Sequence, residues 1–151
     1  MLCAVDAQQA IADLTEISSQ IQTAVVFDDK GKVAGSTLDD ADRAAELARA
    51  AADLLEQADE IKTGDGSLSQ LEAATLEGSV FVVRDGKVRI AATTAPDPTV
   101  GLVFYDLKSA LRQVTVKTER KKAAPRKTTA RKTTTTKRKA AAPRRKKTDA
   151  S

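Results

Sequence analysis

The sequence lacks the side chains on which several common catalytic and metal sites depend. Among its 151 residues there is no histidine, no tryptophan and a single cysteine, Cys3. These absences exclude Cys–His dyads, Ser–His–Asp triads and zinc clusters. One cysteine cannot form a disulfide within the chain, which is typical of a reducing compartment. We therefore predict no catalytic residue, no metal and no cofactor, and we interpret Cys3 as an incidental thiol.

Long apolar runs are also missing. No segment approaches the ~20 consecutive apolar residues that a membrane-spanning helix needs. The first residues carry no basic segment ahead of an apolar run, so we expect no signal peptide. These features favour a cytoplasmic location.

The net charge of +4 is the sum of the charges of two unlike parts of the chain. Through Val116 there are 10 basic and 19 acidic residues, a charge of −9, and residues 117–151 hold 15 basic and 2 acidic residues, a charge of +13. Such asymmetry is typical of a folded body with an interaction tail. We predict one domain over residues 1–116 and a tail over residues 117–151.

The body shows helical and extended patterns in turn. A helix is predicted behind Asp6 as its cap, then a strand at 23–27, although a helix at that length stays possible. Gly31 is expected to take a positive φ in a hairpin turn that leads to a strand at 33–36. A long helix is predicted over 39–62, capped by Thr37 or Asp39.

The second half of the body contains the clearest local pattern. A strand is expected at 70–76, followed by a hairpin over 79–92 with Asp85-Gly86 as its two-residue turn. This turn would pair Arg84 with Lys87 and place four side chains on one core-facing side, namely Phe81, Val83, Val88 and Ile90. Asp97 as cap and Pro98 as first helical residue predict a closing helix. The order of elements indicates an α+β sheet flanked by helices.

The body resembles the roadblock/dynein light chain family over residue 6 to about residue 116. The resemblance rests on residues 24–36 (AVVFDDKGKVAGS) before an alanine-rich helix, on the hairpin at Asp85-Gly86, and on the closing helix at 98–111 (PTVGLVFYDLKSAL). It implies a profilin-like fold: a five-stranded antiparallel sheet with the long second helix on one face and the first and last helices on the other.

The same resemblance implies a homodimer, in which the alanine-rich helix and the strand after it meet their symmetry mates. Members of the family are non-enzymatic and bind or regulate small Ras-like GTPases, or act as adaptors. The apolar stripe of the long helix is therefore the predicted dimer or partner interface. It consists of Ala44, Leu47, Ala48, Ala51, Leu54, Leu55 and Ala58.

Other polar clusters in the body have simpler interpretations. The carboxylates of Asp39, Asp40 and Asp42 resemble a metal cluster but suit the positive end of a helix. Residues 64–67 (GDGS) lack the Lys-Ser/Thr of a P-loop, so we interpret them as a connecting turn, and we interpret residues 28–29 as turn residues. Four arginines are conceivable arginine fingers, although solvated surfaces explain them equally well. They are Arg43, Arg49, Arg84 and Arg89.

The tail has its own composition. Residues 118–151 contain no Val, Ile, Leu, Met or aromatic residue, so they cannot form a core and are predicted to be disordered alone. Their basic clusters are predicted to neutralise the phosphates of DNA or RNA without reading bases. The predicted contacts are Arg120, Lys121, Lys122, Arg126, Lys127, Arg131, Lys132, Lys137, Arg138, Lys139, Arg144, Arg145, Lys146 and Lys147.

This composition also resembles the tails of linker histones and of some bacterial nucleoid proteins, which implies association with the nucleoid. A solubility tail, a clamp on the acidic body and a tether to anionic membranes stay open as alternatives. The threonines between the basic clusters are candidate phosphorylation sites, which would weaken binding to a polyanion.

Overall fold

The computed structural model describes residues 3–122, and within this range the chain forms three helices and five strands. The elements are α1 (Ala4–Ile17), β1 (Ile21–Asp28), β2 (Val33–Ser36), α2 (Ala41–Ile61), β3 (Gln70–Ala74), β4 (Ser79–Asp85), β5 (Val88–Thr94) and α3 (Val100–Lys122). The strands form one sheet in the order β2-β1-β5-β4-β3, and all neighbours are antiparallel. The predicted fold class is confirmed.

The sheet has a separate apolar core on each face. Helices α1 and α3 pack on one face, where the phenyl rings of Phe81 and Phe104 meet edge to face with centroids 5.1 Å apart. Helix α2 packs on the other face over Val25, Phe27 and Ala91. Strands in the middle of the sheet are buried on both faces, which explains the continuous apolar run of β1.

One of the two hairpin turns has the predicted conformation, and the other is formed by different residues from those predicted. Gly31 has a φ of 79°, as expected for the β1–β2 turn. In the second hairpin Asp85 pairs with Val88 and Arg84 pairs with Arg89, so the turn residues are Gly86-Lys87 and the predicted pairing is wrong by two positions. Because side chains alternate with a period of two, this shift leaves every side chain on its predicted face.

Three helix starts also differ from the predictions. Cys3, not Asp6, occupies the cap position of α1. The cap of α2 is Asp40, whose Oδ1 accepts hydrogen bonds from the backbone N–H groups of Asp42 and Arg43 at 2.9 and 3.3 Å. Asp97 has a φ of 57°, outside the conformation of a cap, and at the start of α3 the Thr99 carbonyl accepts from the N–H groups of Leu102 and Val103.

The end of α3 lies past the predicted boundary of the domain. The helix continues through Val116 to Lys122, so the first residues assigned to the tail are helical. Among the side chains of this helix that the structure describes, Val114 is the last one that is fully buried. The tail residues from 123 onward lie outside the described residues, and the division of the chain at Val116 stays a prediction.

None of the helices within residues 3–122 is both long enough and apolar enough to cross a membrane.

Candidate interaction surface

The predicted interface stripe of α2 is divided between two environments. Four of its side chains, Ala44, Ala48, Ala51 and Leu55, are at most 2% exposed because they pack on the chain's own sheet. The other three, Leu47, Leu54 and Ala58, are half-buried. Their spacing of seven and four residues places them along one edge of the helix. In the single chain this edge is therefore the part of the stripe that a partner can reach.

Helix α2 covers its face of the sheet unevenly. It packs against β1, β2 and β5. On the β4–β3 side of the same face, Val80 and Leu71 stay only partly buried. The apolar surface of these two strands is therefore not fully covered by the chain's own helix.

The two edges of the sheet differ in accessibility. At the β2 edge, the Gln8 side chain of α1 donates from Nε2 to the Ser36 carbonyl at 3.0 Å and accepts from the Ser36 N–H at 3.1 Å. This side-chain amide occupies the place of a neighbouring strand. The β2 edge is therefore blocked at Ser36 by the chain itself.

The β3 edge has backbone groups that point away from the sheet. The Ser69 carbonyl accepts from Arg84 N–H and the Thr75 N–H donates to the Gly78 carbonyl, both at 2.8 Å, so these groups point toward β4. Because backbone groups alternate along a strand, those of Gln70, Glu72 and Ala74 point outward. Such an edge can pair with another strand.

Asp59 fixes the connection between α2 and β3. Its Oδ1 accepts from the Leu68 N–H at 2.7 Å and from Lys62 Nζ at 3.2 Å, and its Oδ2 lies 2.9 Å from Arg84 Nη2. These partners, the Leu68 backbone first and then Arg84 and Lys62, lower the pKa of Asp59 to about 2 against partial desolvation. The carboxylate therefore stays ionised and holds the start of β3 against the end of α2.

A second basic side chain lies beside this cluster. Arg89 is directly opposite Arg84 in the β4–β5 ladder. Its Nε and Nη1 atoms are buried and have no hydrogen-bond acceptor among the described residues. Arg84 itself is only 14% exposed and is paired with Asp59. Arg84 and Arg89 are thus partly buried, whereas Arg43 and Arg49 are exposed on α2.

Two shallow grooves flank the helices. One, of about 350 Å³, lies along the first half of α2 and is lined by Thr23, Leu38, Arg43, Glu46, Leu47, Ala50 and Thr93. The other, of about 530 Å³, lies between α1 and β2 and is lined by Ala4, Val5, Gln8, Gln9, Ala12 and Ala34. The first groove is continuous with the half-buried edge of α2 through Leu47.

The remaining acidic and glycine-rich candidates have structural roles. Asp40 caps α2, as described above. Asp28 Oδ1 accepts from the N–H groups of Lys30 and Lys32, both at 2.9 Å, which is turn chemistry. The loop around Gly64 connects α2 to β3. Within residues 3–122 there is no cluster of three or more Cys or acidic side chains that could hold a metal ion.

This arrangement of one sheet, a single long helix on one face and two helices on the other is the fold of roadblock/LC7 domains. A roadblock/LC7 domain from Streptomyces avermitilis has 18% sequence identity and a TM-score of 0.68, covering 74% of this chain and 97% of its own. MglB of Myxococcus xanthus has 16% identity and a TM-score of 0.67, covering 83% and 94%. A gliding protein MglB from Thermus thermophilus has 14% identity and a TM-score of 0.66, covering 78% and 96%.

Comparison of the sequence with protein-family models and with curated proteins gave no match. The solved structures therefore show a shared fold and do not by themselves show the function. Of the predicted nucleic-acid contacts, only Arg120 to Lys122 fall within the described residues, at the end of α3. Those from Arg126 to Lys147 lie outside them.

Proposed function

We propose that this chain is a homodimeric, non-enzymatic roadblock-type protein that binds and regulates a small Ras-like GTPase. The fold matches roadblock/LC7 domains, and the resemblance in sequence implies this activity. The observation that carries the dimer is the accessible β3 edge beside the half-buried edge of α2. A solved structure with the same fold, MglB with tetrameric arrangement, is an assembly of that protein.

Antiparallel pairing of β3 with its symmetry mate would extend the sheet to both copies. The two α2 helices would then lie on the same face, each beside the partly covered side chains of Leu71 and Val80. Large exposed side chains also flank this region: Ile61 at the end of α2 is 85% exposed and Leu76 just after β3 is 98% exposed. Burial of such side chains favours association.

A single backbone change tests the dimer. In Glu72→Pro the outward N–H of β3 is lost, while the N–H groups that pair with β4 are retained, and proline is tolerated at such an edge position. Glu72→Gln removes the same charge and keeps the N–H group. With light scattering after size-exclusion chromatography, we expect dimers for the wild type and Glu72→Gln and monomers for Glu72→Pro. A monomeric wild type would overturn the dimer.

The proposed binding and regulation of a GTPase is tested with purified Ras-like GTPases encoded near this chain's gene. We expect binding that depends on the bound nucleotide, or a changed rate of GTP hydrolysis. Leu54→Asp lies on the edge of α2 that we assign to the dimer, so it should reduce the effect if the GTPase binds the dimer, and Leu102→Asp on the opposite face of the molecule is the matched control. Equal effects of both variants would contradict the assignment of this surface.

The charge of the tail supports a second activity, the non-specific binding of nucleic acid. The charge of +13 over residues 117–151 can displace the counterions of a polyanion. A protein of this type could act mainly at the nucleoid, with the body as a dimerisation unit that places two tails on one particle. Replacement of every Lys and Arg after Lys122 by Gln should abolish duplex binding. Unchanged binding by that variant would exclude the tail as the binding element.

A further inference from the structure

The β3 edge offers only a short row of backbone groups to a second copy. The strand runs from Gln70 to Ala74, and its outward residues are Gln70, Glu72 and Ala74. The next outward position before the strand is Leu68, but its N–H already donates to Asp59 Oδ1 at 2.7 Å. The next outward position after the strand falls in the β3–β4 turn. The outward residues available for pairing are therefore those of β3 itself.

This short row limits the register in which two copies can pair. In an antiparallel pair related by a two-fold axis, every outward residue finds a partner only when Glu72 lies opposite Glu72 of the second copy and Gln70 lies opposite Ala74. A shift of the axis by one residue in either direction loses one of these pairs, together with its two hydrogen bonds. Hydrogen bonds lost in this way cost more than a like-charge pair at an exposed position, so the fully paired register is favoured.

Glu72 lies at the centre of this register without a compensating cation. Its side chain is exposed and its partner in β4 is Phe81, so it lies on the face of the sheet that α1 and α3 cover. The flanking positions of β4 on that face are Ser79 and Val83, which are uncharged. Both ion pairs in the described part of the chain involve Asp59, beside α2 on the other face. Two carboxylates opposed at this position would therefore repel each other.

We propose that Glu72 lies on the two-fold axis of the dimer, opposite Glu72 of the second copy, and that this pair of carboxylates weakens self-association. The inference rests on the proposed dimer through β3. Like charges directly opposite each other destabilise a pair of strands, whereas opposite charges stabilise it. Glu72 thus determines which strand this edge prefers. A β3 strand with a neutral or basic residue at the same place pairs with it more tightly than a second copy does.

Charge changes at Glu72 test the repulsion in the full chain. Glu72→Gln should dimerise roughly twofold to fivefold more tightly than the wild type, as measured by analytical ultracentrifugation. Glu72→Lys alone should dimerise about as strongly as the wild type, because two ammonium groups then face each other. When Glu72→Lys is mixed in equal amounts with isotopically labelled wild type, native mass spectrometry should show roughly threefold more heterodimer than both homodimers combined. Glu16→Lys makes the same charge change at an exposed position of α1 and should give a statistical mixture.

Single cysteines locate the two-fold axis independently. In a Cys3→Ser background, the variants Leu71→Cys, Glu72→Cys and Ala73→Cys each carry a single thiol. In the proposed register only Glu72→Cys lies opposite its own mate, with Cα atoms about 5.5 Å apart, within the range of a disulfide. At the other two positions the mates are offset along the strand, so their Cα atoms lie about 8 Å apart and cannot be bridged. After mild oxidation we expect a disulfide-linked dimer for Glu72→Cys alone.

The outcomes separate this inference from the proposed function. A dimer that links through Leu71→Cys or Ala73→Cys has a different register, and a dimer that gives a statistical mixture with Glu72→Lys has no repulsion at this position. Either result would overturn this inference and leave the dimer in place. A wild type that stays monomeric, or a dimer that links through none of the three cysteines, would overturn the joint through β3 as well.

Discussion

Leu54 and Leu55 are neighbours in sequence whose truncation should have different consequences. Leu55 is 1% exposed and is the only large side chain on the fully buried face of α2, beside three alanines. It packs in the same cluster as Phe27 and Val82. Leu54 is half-buried on the edge of the helix that we assign to the dimer. One leucine thus attaches the helix to the sheet and the other is available to a second copy.

Leu55→Ala should lower the free energy of unfolding by about 3 kcal/mol, within the range of 2–5 kcal/mol for buried leucines, because alanines around it cannot fill the cavity. Leu54→Ala should cost less than about 1 kcal/mol in protein dilute enough for the proposed dimer to dissociate. At high protein concentration its effect should grow, because association stabilises the folded state by mass action.

Urea unfolding followed by circular dichroism at two protein concentrations measures both effects. The reasoning fails if Leu55→Ala costs under about 1 kcal/mol, since α2 would then be held by something other than this side chain. It also fails if Leu54→Ala has the same effect at both concentrations while the wild type dimerises.

Three further changes test particular contacts. Gly35→Ala should destabilise the fold by about 1–3 kcal/mol in thermal unfolding, because a Cβ would lie 2.8 Å from the backbone of α1, whereas Gly66→Ala has open space and should be nearly neutral. Gln8→Leu should cost about 0.5–1.5 kcal/mol by removing the hydrogen bonds at Ser36, and scattering should then show aggregation through the opened β2 edge. The lowered pKa of Asp59 means that its stabilising contribution is present above pH 3.8 and is lost as the pH falls toward about 2. Asp59→Asn should remove this part of the pH dependence, and an unchanged acid-unfolding profile would contradict it.

The sequence pattern was sufficient to predict the order of the elements and which side chains of the hairpin strands face the core. The hairpin shows why: its pairing differs from the prediction by two positions, yet Phe81 and Val83 remain in the core because the side-chain period is also two. Helix caps were less predictable. Thr37, Asp39 and Asp40 can all accept backbone hydrogen bonds, and only the path of the chain after β2 places Asp40 at the cap.

The candidate surface was predictable only as a stripe on α2. Periodicity groups Leu47 with Ala48 and Leu54 with Leu55, but it does not tell which side of the stripe the chain's own sheet covers. The block of the β2 edge by Gln8 joins residues 28 positions apart, and no local pattern indicates it. The pairing of Asp59 with Arg84 is likewise a product of the fold, since the two lie in different elements.

Backbone hydrogen exchange along β3 tests the central claim most directly. The N–H groups of Leu71, Ala73 and Thr75 point toward β4 and should be protected at every protein concentration, and Ser36 N–H, held by Gln8, serves as an internal control at the other edge. If two copies join through β3, the outward N–H groups of Glu72 and Ala74 should be protected in concentrated protein and exchange rapidly on dilution. Rapid exchange of these outward groups in a sample that is fully dimeric would contradict the account.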